Sequence, residues 1–210
     1  MQNTSIKFSA SKIILIAIII ILAAGTGYYI YSDLVQPPMS NTIEPESTTV
    51  VDSNKNQPDL DRPINFYIDI PEQAKTIYKN KIEDLVKQLK ENQDLYSNWL
   101  DLGIQRQEIG DYEGARECYE YAGYIRPQGS TAFGNLGFLY GYYLKDIKKA
   151  EENYLKAIEN GPNMVYIYRN LFEFYRDVLN DDTKAKNILQ KGIELNPDTS
   201  QDLKFLLDNL

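Results

Sequence analysis

Few residues in this 210-residue chain could do covalent chemistry. There is no histidine, which removes the usual general base and the commonest metal ligand. The single cysteine, Cys118, lies in a helical pattern with no Cys or His partner beside it. It can form no intrachain disulfide and reads as an inert, partly buried thiol. No Gly-x-Ser-x-Gly elbow, phosphate-binding glycine loop or metal-spaced ligand set occurs. The acidic pairs Glu151-Glu152 and Asp181-Asp182 could offer oxygens to calcium. A specific site wants six or more converging oxygens, however, and such pairs on helices and turns are usually solvated. What the chain has in quantity is tyrosine, 17 in all, so recognition by aromatic faces is the chemistry on offer. Most of these rings fall at helical spacing and are expected to pack, with Tyr142 and Tyr166 as the best candidates for exposure. No catalytic residue, no cofactor and no metal is expected.

The elements that carry these rings repeat. Trp99 returns as Phe133 and Tyr168, Leu102 as Leu136 and Leu171, and Ala115 as Ala150 and Ala185. Tyr119 returns as Tyr154 and Leu189, Ala122 as Ala157 and Gly192, and Pro127 as Pro162 and Pro197. The step is 34 or 35 residues, the period of a helical repeat array. Leu95, Trp99, Leu102 and Gly103 share one helical face, as do Ala115, Cys118, Tyr119 and Ala122. Gly103 and Ala115 let two helices approach closely, and each proline marks the end of a second helix. The second and third copies carry one extra residue, expected in the turns near Lys145-Asp146 and Asn180-Asp181-Asp182.

Trp99-x-x-Leu102-Gly103, Gly110-Asp111-Tyr112, Ala115, Tyr119, Ala122 and Pro127 resemble the tetratricopeptide repeat. So do Phe133-x-x-Leu136-Gly137-x-x-Tyr140, Ala150, Tyr154, Ala157 and Pro162. The third copy departs most, with Phe172 where the family has a small residue, and Arg106 replaces an aromatic in the first. The resemblance covers about residues 94–210 and implies an all-α fold. That fold is a right-handed α-α superhelix of about three helix pairs with capping helices. The pairs span 94–127, 128–162 and 163–197. A helix within 71–93 caps one end as a decayed repeat, and an amphipathic helix within 198–210 caps the other.

The resemblance also implies a concave groove lined by the first helix of each repeat. Its positions here are Ser97, Leu100, Ile104 and Gln107, then Thr131, Asn135, Phe138 and Tyr142, then Tyr166, Arg169, Asn170 and Glu173. Some family members grip a terminal carboxylate with Lys and Asn in this groove. Asn135 matches that clamp, but Leu100 and Ile104 stand where Lys and Asn are wanted, so the charge-assisted bonds are missing.

Ahead of the repeats, residues 13–32 carry no charge, and the apolar run is near the roughly 20 residues that span a bilayer as a helix. Lys7 and Lys12 precede it, which puts the tail 1–12 in the cytoplasm and the rest outside. The competing reading is a signal peptide cleaved near Ala23-Ala24-Gly25, giving a secreted form. Residues 33–70 hold five prolines and seven acidic against two basic residues, and read as a disordered spacer. Net charge is −8, which argues against nucleic acid as a partner. The leading expectation is a single-pass, membrane-anchored binding scaffold outside the cytoplasm whose groove holds a protein or peptide. A glycan or small ligand on the same aromatic surface is the alternative. Such proteins are similar to accessory factors of envelope assembly, secretion or pilus biogenesis, and no residue here selects among these.

Overall fold

The computed structural model describes residues 57–210. The proposed tail, membrane helix and first part of the spacer lie outside the described residues. Among the described residues no helix is long and apolar enough to cross a membrane. These residues form eight α-helices and no strand, so the fold is all-α. They are α1 (Glu72–Glu91), α2 (Tyr96–Glu108), α3 (Tyr112–Ile125) and α4 (Ser130–Leu139), then α5 (Ile147–Asn160), α6 (Val165–Glu173), α7 (Asp182–Leu195) and α8 (Gln201–Asp208). Each packs on the next in chain order, and α8 also touches α6.

The helix starts explain the spacing. Asp111, Asp146 and Asp181 cap α3, α5 and α7, accepting from the amides of Gly114, Lys149 and Lys184 at 3.0, 3.1 and 2.9 Å. Each cap satisfies an amide that has no partner inside its helix. All three helices are 14 residues long and stop just short of Pro127, Pro162 and Pro197.

Close approach within each pair rests on a large residue facing a small one. A Cβ on Gly103 would lie 2.4 Å from the Tyr119 ring, and one on Gly137 would lie 2.7 Å from Tyr154. The third pair exchanges the sizes: Phe172 takes the glycine position and Leu189 the tyrosine position, both fully buried. Trp99 and Tyr168, fully buried, anchor their helices by donating to the carbonyls of Gln93 and Pro162, at 2.8 and 2.9 Å. Phe133, at the same position, has nothing to donate.

The extra residue of the second and third copies does not lengthen the turn, as the sequence suggested. It widens the helix. After α4 the chain runs on as a π-helical turn, Tyr140–Leu144, and after α6 as another, Phe174–Val178. The carbonyls of Arg106, Tyr140 and Tyr175 still receive the amides of Asp111, Asp146 and Asp181, with one more residue enclosed in the later copies. In all three, the residue before the cap is left-handed: Gly110 at φ 81°, Lys145 at φ 59° and Asn180 at φ 52°.

The span read as a disordered spacer is packed where it enters the described region. Pro58 and Ile70 are buried, and the amide of Tyr67 donates to the carbonyl of Ile109 at 2.8 Å. Lys90 pairs with Asp61, and the Arg62 guanidinium grips both oxygens of Asp111 at 2.9 Å. Composition hides this order, because a few specific anchors rather than bulk apolar area hold the strap. Arg62 also explains the departure at Arg106. Tyr140 and Tyr175, at the equivalent positions, donate to Glu120 and Glu151 of the preceding pair at 2.8 Å each. Among the described residues α1 alone, rather than a helix pair, precedes the first pair. Arg106 turns instead to Asp111 at 2.8 Å and to the Arg62 carbonyl at 3.4 Å. Gly114 gives the room, since a Cβ there would lie 2.7 Å from the Arg106 side chain.

Candidate functional site

The groove positions fall into three groups. Leu100 and Thr131 are buried, at 0% and 3% exposure, so neither can meet a partner as they stand. Their burial follows from packing of α1 on α2 and of α4 on α3 and α5. Ser97, Ile104, Gln107, Asn135, Phe138, Tyr142, Tyr166, Asn170 and Glu173 are half-buried, and Arg169 is exposed. Tyr142 and Tyr166 are thus less open than expected; Tyr67, Tyr124 and Tyr143 are the exposed tyrosines among the described residues.

Only some of these residues share a continuous surface. The π turn after α4 touches the one after α6 and draws their ends together. Phe138 lies 4.8 Å from Tyr142 and 5.7 Å, edge-on, from Tyr143, ring centre to ring centre. Tyr143 in turn lies 4.4 Å from Tyr112. These tilted and edge-on rings form a row from the start of α3 to the π turn after α4. Tyr142, four residues on, would neighbour Phe138 on any helix; the widened turn brings in Tyr143, five residues on, and π turns recur at functional positions.

Carboxylates flank the row. Glu108 acts on the Tyr143 hydroxyl from one side, and Glu173 and Asp177 act on Tyr142 from the other. Burial first, then these two acids, pushes the Tyr142 phenol up to about 12, against the smaller opposing effect of Arg176. Glu173 is held by Arg169 at 3.1 Å, and Asp177 by Arg176 at 2.6 Å. Burial raises the Glu108 carboxyl above the usual range, opposed by the Tyr78 hydroxyl and Lys81. Burial raises Asp101 in the same way, again against Lys81. The Tyr142 and Tyr143 hydroxyls therefore stay protonated at neutral pH and can donate.

One group here escaped the sequence reading. Tyr154 is fully buried on α5; its ring crosses Gly137 and lies 5.7 Å from Phe174, and its hydroxyl feels Tyr142 and Glu173. That hydroxyl has no hydrogen-bond partner among the described residues, and neither has the buried Thr131 hydroxyl. The equivalent Tyr119 donates to Gln107 at 3.4 Å. Gln107 is replaced by Gly141 in the second copy, which takes the acceptor away. That exchange is visible once the copies are aligned.

Elsewhere α3, α4, the π turn after it and α5 line an open cleft of about 460 Å³, bounded by Glu120, Gly123, Tyr124, Phe133, Leu136 and Tyr140 with Lys149, Glu152 and Asn153. Gly123 stands where the later copies have Ile158 and Ile193, and so uncovers the Phe133 ring. Cys118 is buried and free, and burial pushes its thiol up to about 12. Among the described residues no three metal-ligating side chains converge. The candidate surface is thus an aromatic row, flanked by carboxylates, with protonated phenols as donors. Compared with models of known protein families, the chain matches none. Compared with curated proteins, it is similar to none.

Proposed function

We propose that this chain is a non-enzymatic protein–protein interaction scaffold. Helix pairs α2–α3, α4–α5 and α6–α7 would wind as a right-handed superhelix of the tetratricopeptide type, capped by α1 and α8. The face carried by α2, α4 and α6 receives a protein or peptide. Residues 13–32 anchor the chain as one membrane helix, with the N-terminus inside and the repeats outside the cytoplasm.

The observation that carries this reading is the threefold recurrence of one joint. A left-handed residue, a capping aspartate and a 14-residue helix ending before proline return at a 35-residue step. Stacked pairs of this kind bury a continuous core and leave one face of every first helix free to bind. The aromatic row supplies the rings that anchor interfaces.

The test is copurification of crosslinked partners from intact cells. Replacing Phe138 and Tyr142 together with alanine is expected to abolish capture of a protein that the unaltered chain retains. A reporter fused after Leu210 is expected to be active outside the cytoplasm; activity inside would overturn the orientation.

A further inference from the structure

We propose that the open cleft at Phe133 is a docking site, separate from the aromatic row, for an extended peptide segment of a partner protein. That segment alternates an arginine with apolar side chains, as the strap 57–70 of this chain does.

The strap shows what such a cleft holds. It touches α1 where Lys75 lies over the Phe66 ring and where Lys90 pairs with Asp61. It meets α2 where Arg106 donates to the Arg62 carbonyl, and α3 where Arg62 grips Asp111 and Glu117. Asp61, Pro63 and Asn65 are exposed, while Arg62, Ile64 and Phe66 between them are half-buried. A period of two is that of extended chain.

The open cleft is the same seat moved on by one repeat. It is lined by α3, α4 and α5, where the strap meets α1, α2 and α3. Its Phe133, Leu136, Tyr140 and Glu152 are the counterparts of Trp99, Leu102, Arg106 and Glu117. In the first seat Glu117 receives Arg62 at 3.2 Å, although Arg116 of its own helix lies 3.7 Å away. Glu152 is situated alike: Lys148 of its own helix lies 3.8 Å off, and both side chains are largely exposed. So exposed a pair is weak and does not bar a second cation. Glu120, also in the cleft, is taken up by Arg116 and the Tyr140 hydroxyl. Over the Tyr140 ring, Lys149 brings an ammonium beside the position that Arg106 holds in the first seat. It can donate to a peptide carbonyl as Arg106 does to that of Arg62.

Gly123 supplies the apolar part. A Cβ there would first meet the Phe133 ring, at 3.2 Å, whereas the counterpart Ile158 is buried one repeat on. An aliphatic side chain of the segment takes the place that Ile158 fills. The third repeat keeps neither feature, since Ile158 replaces Gly123 and Asn187 replaces Glu152.

The probe is a synthetic peptide of residues 57–70, added to the full-length chain and followed by fluorescence anisotropy. Saturable binding is expected. Glu152→Asn, which installs the third repeat's residue at an exposed position, should weaken it about 2- to 5-fold, the range of an exposed ion pair. Replacing the peptide's arginine with alanine should weaken binding by the same factor, and the two changes should not add. Gly123→Ile should abolish binding with the helical signal unchanged. Phe138→Ala combined with Tyr142→Ala should leave it unaltered, so a failure here leaves the reading of the aromatic row standing. Binding that ignores both Glu152→Asn and Gly123→Ile would mean that the peptide trades places with the strap, and would overturn the proposal. Absence of saturable binding would overturn it too. Self-association of the unaltered chain that Gly123→Ile abolishes would put a second copy in the cleft instead of a partner, and so contradict it.

Discussion

Asp111 does more than its counterparts Asp146 and Asp181. All three cap a helix, but Asp111 is almost wholly buried and also holds two guanidinium groups, Arg62 and Arg106. Removing one member of a buried ionic set leaves the others uncompensated. Asp111→Ala is therefore expected to cost roughly 3–5 kcal/mol in a urea melt. Asp181→Ala, which loses only a cap, should cost about 1 kcal/mol. Cys118 gives a second residue-scale prediction. Its thiol is buried and held protonated, so a thiol reagent at pH 8 should label it only when the array opens. Labelling of the folded chain at the rate of a free thiol would contradict its placement.

At the scale of elements, the left-handed residue before each cap is the weak point of the joint, exposed at Lys145 and Asn180 and buried at Gly110. Lys145→Gly is expected to stabilise by about 1 kcal/mol, because glycine adopts that conformation without a steric penalty. Asn180→Gly should gain less, since asparagine already tolerates the conformation. Gly110→Ala should destabilise, because its φ is 81° and a Cβ would lie 3.0 Å from Ile68. The α1–α2 contact carries a pH signature. Asp101 and Glu108 are both raised by burial, so the folded state binds their protons more tightly than the unfolded chain. Their ionised forms therefore weaken folding as pH rises through the folded values, and the penalty is absent below the unfolded ones. The double variant Asp101→Asn, Glu108→Gln should melt higher than the parent at pH 7 and alike at pH 3.

Much of this scale can be read from residue types. Capping aspartates, closing prolines and the alternation of glycine with tyrosine all have fixed local consequences. The π turns cannot be read that way. An extra residue between Tyr140 and Asp146 fits a longer loop or a wider helix equally well, and tertiary packing of Phe174 on Gly141 goes with the second. Leu100 and Thr131 mislead for a related reason. A position one turn from a groove residue is buried or free according to how the neighbouring helix crosses it, which a single helix does not encode. Tyr154 was legible only by asking what its repeat counterpart donates to.

At the scale of the molecule, the described chain is a row of helices closed at its start by a strap. Arg62 ties that strap to α3 through Asp111 and Glu117. Arg62→Ala should free residues 57–70 for limited proteolysis and cost about 1–2 kcal/mol, because the lost bonds are charge-assisted but partly exposed. Undiminished protection of the strap would show that Ile70 and the Tyr67 amide suffice to hold it.

We propose that this molecule meets another protein at the aromatic row on α4 and its π turn. The most direct measurement is site-specific photocrosslinking in intact cells, with the photoreactive group at Tyr143 beside the row. A protein adduct is predicted for the unaltered chain, lost in the Phe138→Ala, Tyr142→Ala variant whose helical signal is unchanged. An adduct of equal yield in that variant, or none at Tyr143 while a partner still copurifies, would contradict it.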